Sequence, residues 1–520
     1  MYVLGVDIGT TGTKAILVDE TGACRGSSYK SYPLITLADG GIEQRAQDWW
    51  DTLVYTVREA SAGVADKNEI AAMSLSTQGG SCVLLDEHDE PLGNACTWMD
   101  DRPKSVLDSL GSLDFRGSPG SLGSRGSLGS LDVIGEKRFY EMSGWRLSGA
   151  MMAARAVWYR RHQPEVWAAA RRYLTTVDYI NLRLTGRAVI DPTNAAMTQL
   201  FDIVSLDWDN EVLSAAGISR DMLPEIAASG EVIGTLLPGP ARELGFPESV
   251  LVVSGAHDQY AAATGACATE PGDVVLSCGT AWVLLGISDR LEYDYLDYLG
   301  VGNHALKGLY GVLTSIPTAG AGLEWFRKNF AESELIDGAL SRVAFKQIDD
   351  VAGKRVLQDG GLLFYPQFTG SGFPRWADNS KASFLGLSLE HDSYDMALVI
   401  MEGVAFEVAL IIEAYAGKSI PVKSLKLLGG ASKSRLWTDI VRNVTGLPIV
   451  RFSDADIACL GAAAFAASKC GIFGSVREAA EVIIKGKSEP LEAPQGALKE
   501  HYACKLAKYK ELLPRVEELY

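Results

Sequence analysis

The sequence predicts an α/β chain of at least two large domains, on three observations. At 520 residues it is too long for one ordinary hydrophobic core. A short apolar strand that runs into a Gly/Thr turn and returns as a second strand occurs twice, at residues 2–19 and 272–287. Apolar runs of strand length alternate with stretches of helix length along the rest of the chain. The repeated strand–Gly-Thr–strand unit points to an internally duplicated architecture, against the alternative of two unrelated hairpins.

The elements follow in order. Residues 2–8 (YVLGVDI) read as a buried strand and 15–19 (AILVD) as its return. A helix with a Trp and Leu/Val face is expected near 46–62, strands near 70–76 and 81–86, and a helix over 151–172. Residues 250–259 (VLVVSGAHDQ) form a strand that delivers a polar cluster to its C-terminal end, where open α/β sheets present chemistry. A long apolar helix is expected over 394–416, too interrupted by polar residues to span a membrane. A strand at 424–428 leads into Gly429-Gly430, followed by helices at 434–445, 456–469 and 497–519. Residues 109–132, with glycine at 117, 120, 123, 126 and 129, break the pattern. The run is too short and too poor in proline for a collagen helix, and reads as a flexible low-complexity insertion or a sequence irregularity.

Composition narrows the function classes. A hydrophobic fraction of 47% and a charged fraction of 22% are those of a globular protein. A net charge of −17 offers no dense positive footprint for a nucleic acid. The eight cysteines are scattered, without a C-x-x-C pair, which argues for reduced thiols rather than a zinc site. With no signal-peptide pattern in MYVLGVDIGT and no span of roughly 20 apolar residues, a cytoplasmic protein without membrane contact is expected.

Four groups of residues carry candidate chemistry. In Asp7-Ile8-Gly9-Thr10-Thr11-Gly12-Thr13-Lys14, glycines let backbone N–H groups approach an anion. The threonines add donors, Lys14 a charge, and Asp7 a carboxylate for hydrated Mg²⁺. A plain hairpin turn would use the same residues, but the related turn at Ser277–Thr280 suggests paired grips on successive phosphates. In His257-Asp258-Gln259, Asp258 could act as a general base and Gln259 could orient hydroxyls, while an ordinary helix cap explains Asp258 equally well and His257 reads as a packed neighbour. Leu428–Ser434 (LGGASKS) permits close approach of a flat ring or a phosphate, or simply starts a helix. Gln44, Gln78-Gly79 and Trp98-Met99-Asp100-Asp101-Arg102 suit a polyhydroxylated ligand, though each singly suits ordinary surface or core.

In order and spacing these segments resemble the FGGY family of carbohydrate kinases, particularly its xylulokinase-like members. The resemblance runs through VDIGTTGTKA, WMDDR, GAHDQYAAATG, SCGTAW, TAGAGLEWF, LLFYPQFTGSGFPRW, EGVAF and LLGGASKSRLW. It implies an actin-like ATPase fold, two ribonuclease-H-like domains with the active site in the cleft between them. The implied division is 1–254 (sugar and first phosphate loop), 255–480 (nucleotide) and a helical extension over 481–520. It implies ATP and Mg²⁺ as cofactors and a small sugar as substrate, most readily a ketopentose such as xylulose, and a homodimer is the expected assembly. Residue by residue, it assigns Asp258 as catalytic base and Asp7 to the metal. Thr10, Thr11, Thr13, Lys14, Gly279, Thr280, Gly320, Gly430, Ala431 and Ser434 fall to the nucleotide, and Gln78, Gly79, Trp98, Asp100 and Gln259 to the sugar.

Two departures bear on substrate. Many xylulokinases carry Met-His-Gly where Thr77-Gln78-Gly79 stand, and glycerol kinases carry an Arg-Glu pair where Gly79-Gly80 stand, which counts against glycerol. Rival readings are a kinase for another ketose or polyol, such as ribulose or erythritol, and an actin- or chaperone-like ATPase.

Overall fold

The structure, a computed structural model, describes residues 1–109, 134–291, 293, 299–331, 333–336, 339–342, 344–358, 361–377, 379–418, 420–452 and 456–520. The Gly/Ser-rich insertion from 110 onward lies outside the described residues. Two compact units make up the chain. Unit 1 comprises Met1–Thr269, Gly300–Gly311 and Asp456–Lys485, and unit 2 comprises Glu270–Leu299, Val312–Ala455 and Gly486–Tyr520. Chain order and compactness therefore differ, because residues 456–485 return to the first unit.

Unit 1 is built on a six-stranded sheet of β1 (Tyr2–Ile8), β2 (Gly12–Asp19), β3 (Cys24–Ser31), β4 (Ile70–Thr77), β5 (Val232–Thr235) and β6 (Leu251–His257). Their order is β5-β6-β4-β1-β2-β3, with β1, β4 and β6 parallel and the β1–β2–β3 meander antiparallel. The near-continuous apolar sequences of β1, β4 and β6 fit strands covered on both faces. Helix α1 (Ala46–Ala60) packs on β2 and β3 through a stripe of Trp49, Leu53 and Val57, all fully buried. Helix α2 (Asp258–Gly265) packs against the helix Ile457–Lys469, which also touches β1 and β4.

Unit 2 repeats the plan. Strands β7 (Asp273–Cys278) and β8 (Trp282–Ser288) form an antiparallel hairpin, and β7 runs parallel to β9 (Ser424–Leu428), which is parallel to β10 (Ile449–Arg451). Of its helices α3 (Ala319–Asn329), α4 (Ser393–Gly417) and α5 (Arg435–Thr445), the long α4 packs against both α3 and α5. Helix α4 starts at a capping box in which Asp392 accepts from the backbone of Tyr394 and Asp395. A hairpin whose first strand runs parallel to later strands thus occurs in each unit, as the repeated Gly/Thr turns suggested, and the chain has the two-domain actin-like ATPase fold.

One local expectation needs correction. The helix expected over 151–172 is two helices, Met152–His162 and Pro164–Ala169, followed by a strand at Arg172–Thr175. Pro164 cannot donate to the preceding turn and disfavours helical backbone at Gln163, so the helix ends there and restarts. Among the described residues no helix is long and apolar enough to cross a membrane.

Candidate active site

Sheet register brings the unit 1 candidates together. Ile8, Thr77 and His257, the last residues of β1, β4 and β6, are partners across the three parallel strands. The residues that leave the sheet there, Gly9–Thr11, Gln78-Gly79 and Asp258, therefore emerge side by side at one sheet end. Asp7 lies one step inside, opposite Ser76, whose hydroxyl donates to Asp7 Oδ1 at 2.6 Å. Burial pushes the Asp7 carboxyl up to about 7, with the Asp258 and Asp456 carboxylates adding to the effect while the Ser76 bond and Lys14 oppose it. Asp7, with the Asp258 and Asp456 carboxylates near enough to act on it, forms an oxygen donor set that suits a hard divalent cation.

The Gly/Thr turn is fixed by a chain of hydrogen bonds. Gln44 donates through Nε2 to the Thr10 carbonyl at 2.6 Å, and its Oε1 accepts from Trp49 Nε1 at 3.0 Å and from Gln78 Nε2 at 2.9 Å. Trp98 Nε1 donates to Thr10 Oγ1 at 3.0 Å, and the Tyr32 hydroxyl donates to the Gly9 carbonyl. Sugar-type residues and turn residues thus belong to one network. Thr11 is exposed at the turn's tip, free of the buried packing around it.

Two members of the expected phosphate loop are otherwise engaged. Thr13 is fully buried and its hydroxyl pairs with Thr52 Oγ1 at 2.7 Å, so it pins the hairpin to α1 instead of facing a ligand. Strand alternation is the reason, since Thr13 sits opposite Ile8 and shares its buried face. Lys14 is ion-paired with Asp456, so contact with a phosphate would require it to leave that partner.

Asp258 opens α2, but its side chain makes no cap bond, and its buried Oδ1 has no hydrogen-bond partner. The helix-cap alternative therefore leaves this carboxylate unexplained. Gln259 follows it in the first turn of α2. The sheet end is braced by the short helix Pro192–Met197. Thr193 Oγ1 accepts from the His257 backbone N–H at 2.7 Å, Thr77 Oγ1 donates to Asn194 Oδ1 at 3.3 Å, and Asp191 holds both Thr193 and Asn194.

Around Gln78 the expectations divide. Trp98 is 44% exposed beside Thr10. Gln78 is buried, with Oε1 lacking a partner. Asp100, expected at the sugar, is engaged elsewhere. It is fully buried, and both its carboxylate oxygens accept from Arg102, with Nη2 to Oδ2 at 2.5 Å and Nε to Oδ1 at 3.1 Å. Arg102 also donates to Glu43 Oε1 at 2.7 Å. Glu43, Cys96 and Asp100 cluster within 4.8 Å in the manner of metal ligands, but the guanidinium already supplies the positive charge there. Asp100 therefore holds the WMDDR loop in shape. Replacing it by alanine is expected to leave the buried arginine with Glu43 as its close partner and cost about 3 kcal/mol of stability, read as a lower midpoint in urea unfolding, and a midpoint equal to wild type would refute this role.

In unit 2, Ser277 pairs with Leu428 across β7 and β9, so the turns after both strands leave the sheet side by side. Gly279 and Thr280 are exposed there, as is Gly430, with Ala431 partly exposed. A Cβ on Gly320 would lie 2.1 Å from the Gly279 carbonyl, so only glycine lets the start of α3 rest on the Gly279-Thr280 turn. The Thr280 carbonyl accepts from Ala321 N–H at 3.0 Å, fixing that approach. Ser434 caps α5 by accepting from Trp437 N–H at 2.9 Å, a structural use of its hydroxyl.

Reasoning from sequence missed Ser76, Tyr32 and Asp456. Ser76 was within reach of strand pairing, since it lies beside Asp7 on the neighbouring parallel strand. Asp456, 442 residues from Lys14, gave no local signal.

Comparison with known proteins agrees with this architecture. Residues 2–117 and 130–265 match the N-terminal domain of the FGGY family of carbohydrate kinases, and residues 274–470 match its C-terminal domain. The chain belongs to that family, and is a phosphotransferase with an alcohol group as acceptor; kinases of this family use ATP. It is 27% identical to xylulose kinase of Bacillus subtilis over 93% of this chain and 91% of that one. It is 26% identical to gluconokinase of the same organism over 89% and 86%. A crystal structure of a xylulose kinase from Brucella ovis superposes with a TM-score of 0.86 at 25% identity, covering all of both chains.

Proposed function

We propose that the protein transfers the γ-phosphoryl group of ATP to a hydroxyl, the terminal one, of a ketopentose such as xylulose, with Asp258 as general base. The observation that carries this reading is the register of β1, β4 and β6, which ends three strands together and sets Asp7, Gln78 and Asp258 at one sheet end. The acceptor oxygen bonds to the γ-phosphorus, the bond from that phosphorus to the oxygen bridging it to ADP breaks, and the hydroxyl proton passes to the Asp258 carboxylate. Asp7 would hold Mg²⁺ through water, and the ion supplies charge neutralisation for the phosphates when bound. Gly9–Thr11 in unit 1 and Gly279, Thr280, Gly320, Gly430 and Ala431 in unit 2 would offer backbone N–H groups and close approach to the nucleotide. Gln78, Gln259 and the exposed Trp98 would contact the sugar.

An uncharged chain of hydroxyls suits the site better than a carboxylate such as gluconate. Arg102 is engaged by Asp100 and Glu43, and Arg155 donates to the carbonyls of Gly80, at 2.6 Å, and of Thr97. Arg102 and Arg155 thus already have partners. The test is ADP release with xylulose, ribulose, erythritol, glycerol and gluconate in parallel. The expected result is strong stimulation by a ketopentose and little by gluconate or glycerol; equal turnover without any sugar would overturn the reading in favour of an ATPase.

A further inference from the structure

His257 is held more firmly than a packed neighbour requires. Its backbone N–H is fixed by Thr193, and its ring lies edge-on to Tyr260 with centroids 6.1 Å apart. On the other side the ring lies against Gly79, where a Cβ would come within 2.5 Å of Cδ2 and 2.7 Å of Nε2. Any larger residue at position 79 would displace the ring. Held this way, Nε2 stands 3.3 Å from Asp258 Oδ1, the buried carboxylate oxygen that lacks a hydrogen bond. The contact has the distance but not the alignment of a hydrogen bond, as is common for catalytic contacts before they tighten around substrate.

We propose that His257 is a positioning residue for Asp258: its Nε2–H donates to Oδ1 and turns the carboxylate toward the acceptor hydroxyl, with Gly79 as the seat that admits the ring. The inference rests on Asp258 being the base. With the proton on Nε2, the ring presents a donor to the carboxylate, and Nδ1, buried without a partner, is left as a lone pair. The second carboxylate oxygen stays available for the substrate proton. Gly79, expected as a sugar contact, acquires a different role, since its lack of a side chain serves the histidine.

The experiment compares kcat and KM of wild type with His257→Gln, His257→Leu, His257→Asn, Gly79→Ala and Asp258→Asn, using ATP and the sugar that stimulates turnover best. The glutamine amide reaches the place of Nε2, the asparagine amide only that of Nδ1, and leucine fills the space with no donor. Losing a hydrogen bond to a charged group is expected to lower kcat about 10- to 100-fold in His257→Leu and His257→Asn, with KM for ATP unchanged. His257→Gln should stay within about threefold of wild type, because the donor is retained. Gly79→Ala should lose kcat although the histidine is still present. A packing role predicts the reverse order, leucine tolerated better than glutamine, and that result would overturn the proposal. If His257→Leu does not fold, the contrast of glutamine with asparagine decides in the same way. Wild-type turnover in Asp258→Asn would refute the base itself, whereas an inactive Asp258→Asn beside fully active His257 variants would refute only the positioning role.

Discussion

Asp7→Asn is expected to lose most phosphoryl transfer and, in metal-free buffer, to be more stable than wild type above pH 7. The asparagine keeps an oxygen to accept from Ser76, so the local geometry survives. What disappears is a negative charge in a buried setting, where the folded carboxyl is raised from 3.8 to about 7, by burial first and then by Asp258 and Asp456. The sign follows directly. A carboxyl raised by folding favours its protonated form, so its charge costs nothing below the unfolded value near 3.8, and the cost grows with pH until it is complete above about 7. The gain on substitution should be at most about 4 kcal/mol at pH 8 and vanish near pH 4. Turnover should fall by about 10²- to 10³-fold, the loss of several kcal/mol of metal-assisted charge stabilisation. Unfolding midpoints at pH 4.5 and 8, together with steady-state rates at saturating Mg²⁺, check both halves. A variant less stable at pH 8 would contradict the electrostatic account.

The second large effect is that of Asp258→Asn. The change replaces one oxygen by an amide nitrogen of similar size and removes the capacity to accept a proton. The folded state should tolerate it, because Oδ1 makes no hydrogen bond and the side chain makes no cap bond to lose. Sugar phosphorylation should fall by about 10³-fold, within the range for removal of a positioned general base. Binding of ATP should stay nearly unchanged, because the nucleotide contacts are assigned to the Gly/Thr turns and to unit 2. Calorimetric titration with a non-hydrolysable ATP analogue, set beside the steady-state rate, separates the two effects.

Much of this was legible in the sequence because it is local. The apolar run Tyr2–Ile8 and its return define the first hairpin, and VLVVSGAHDQ announces a strand that ends at Asp258. The second Gly/Thr turn marks the same hairpin in unit 2. What the chain hides is non-local or directional. The pair Lys14–Asp456 joins residues far apart in sequence, and Gln44 meets Thr10 across 34 residues of chain. Asp100 looks like a sugar ligand in WMDDR until the fold buries it against Arg102. Thr13 departs from its expected place for a simpler reason. Alternation along the return strand turns it inward, whatever the chemistry of its hydroxyl. From sequence His257 reads only as a packed neighbour, because the glycine its ring lies against belongs to another strand end.

The most direct measurement of the central claim is a single turnover of preformed enzyme–ATP complex mixed with xylulose, quenched and read by phosphorus NMR for the new phosphate ester. Wild type should form one ester per ADP released, and Asp258→Asn should bind the same ATP yet form ester about 10³-fold more slowly. Ester formation by the variant at the wild-type rate would contradict the assignment of Asp258 as the base.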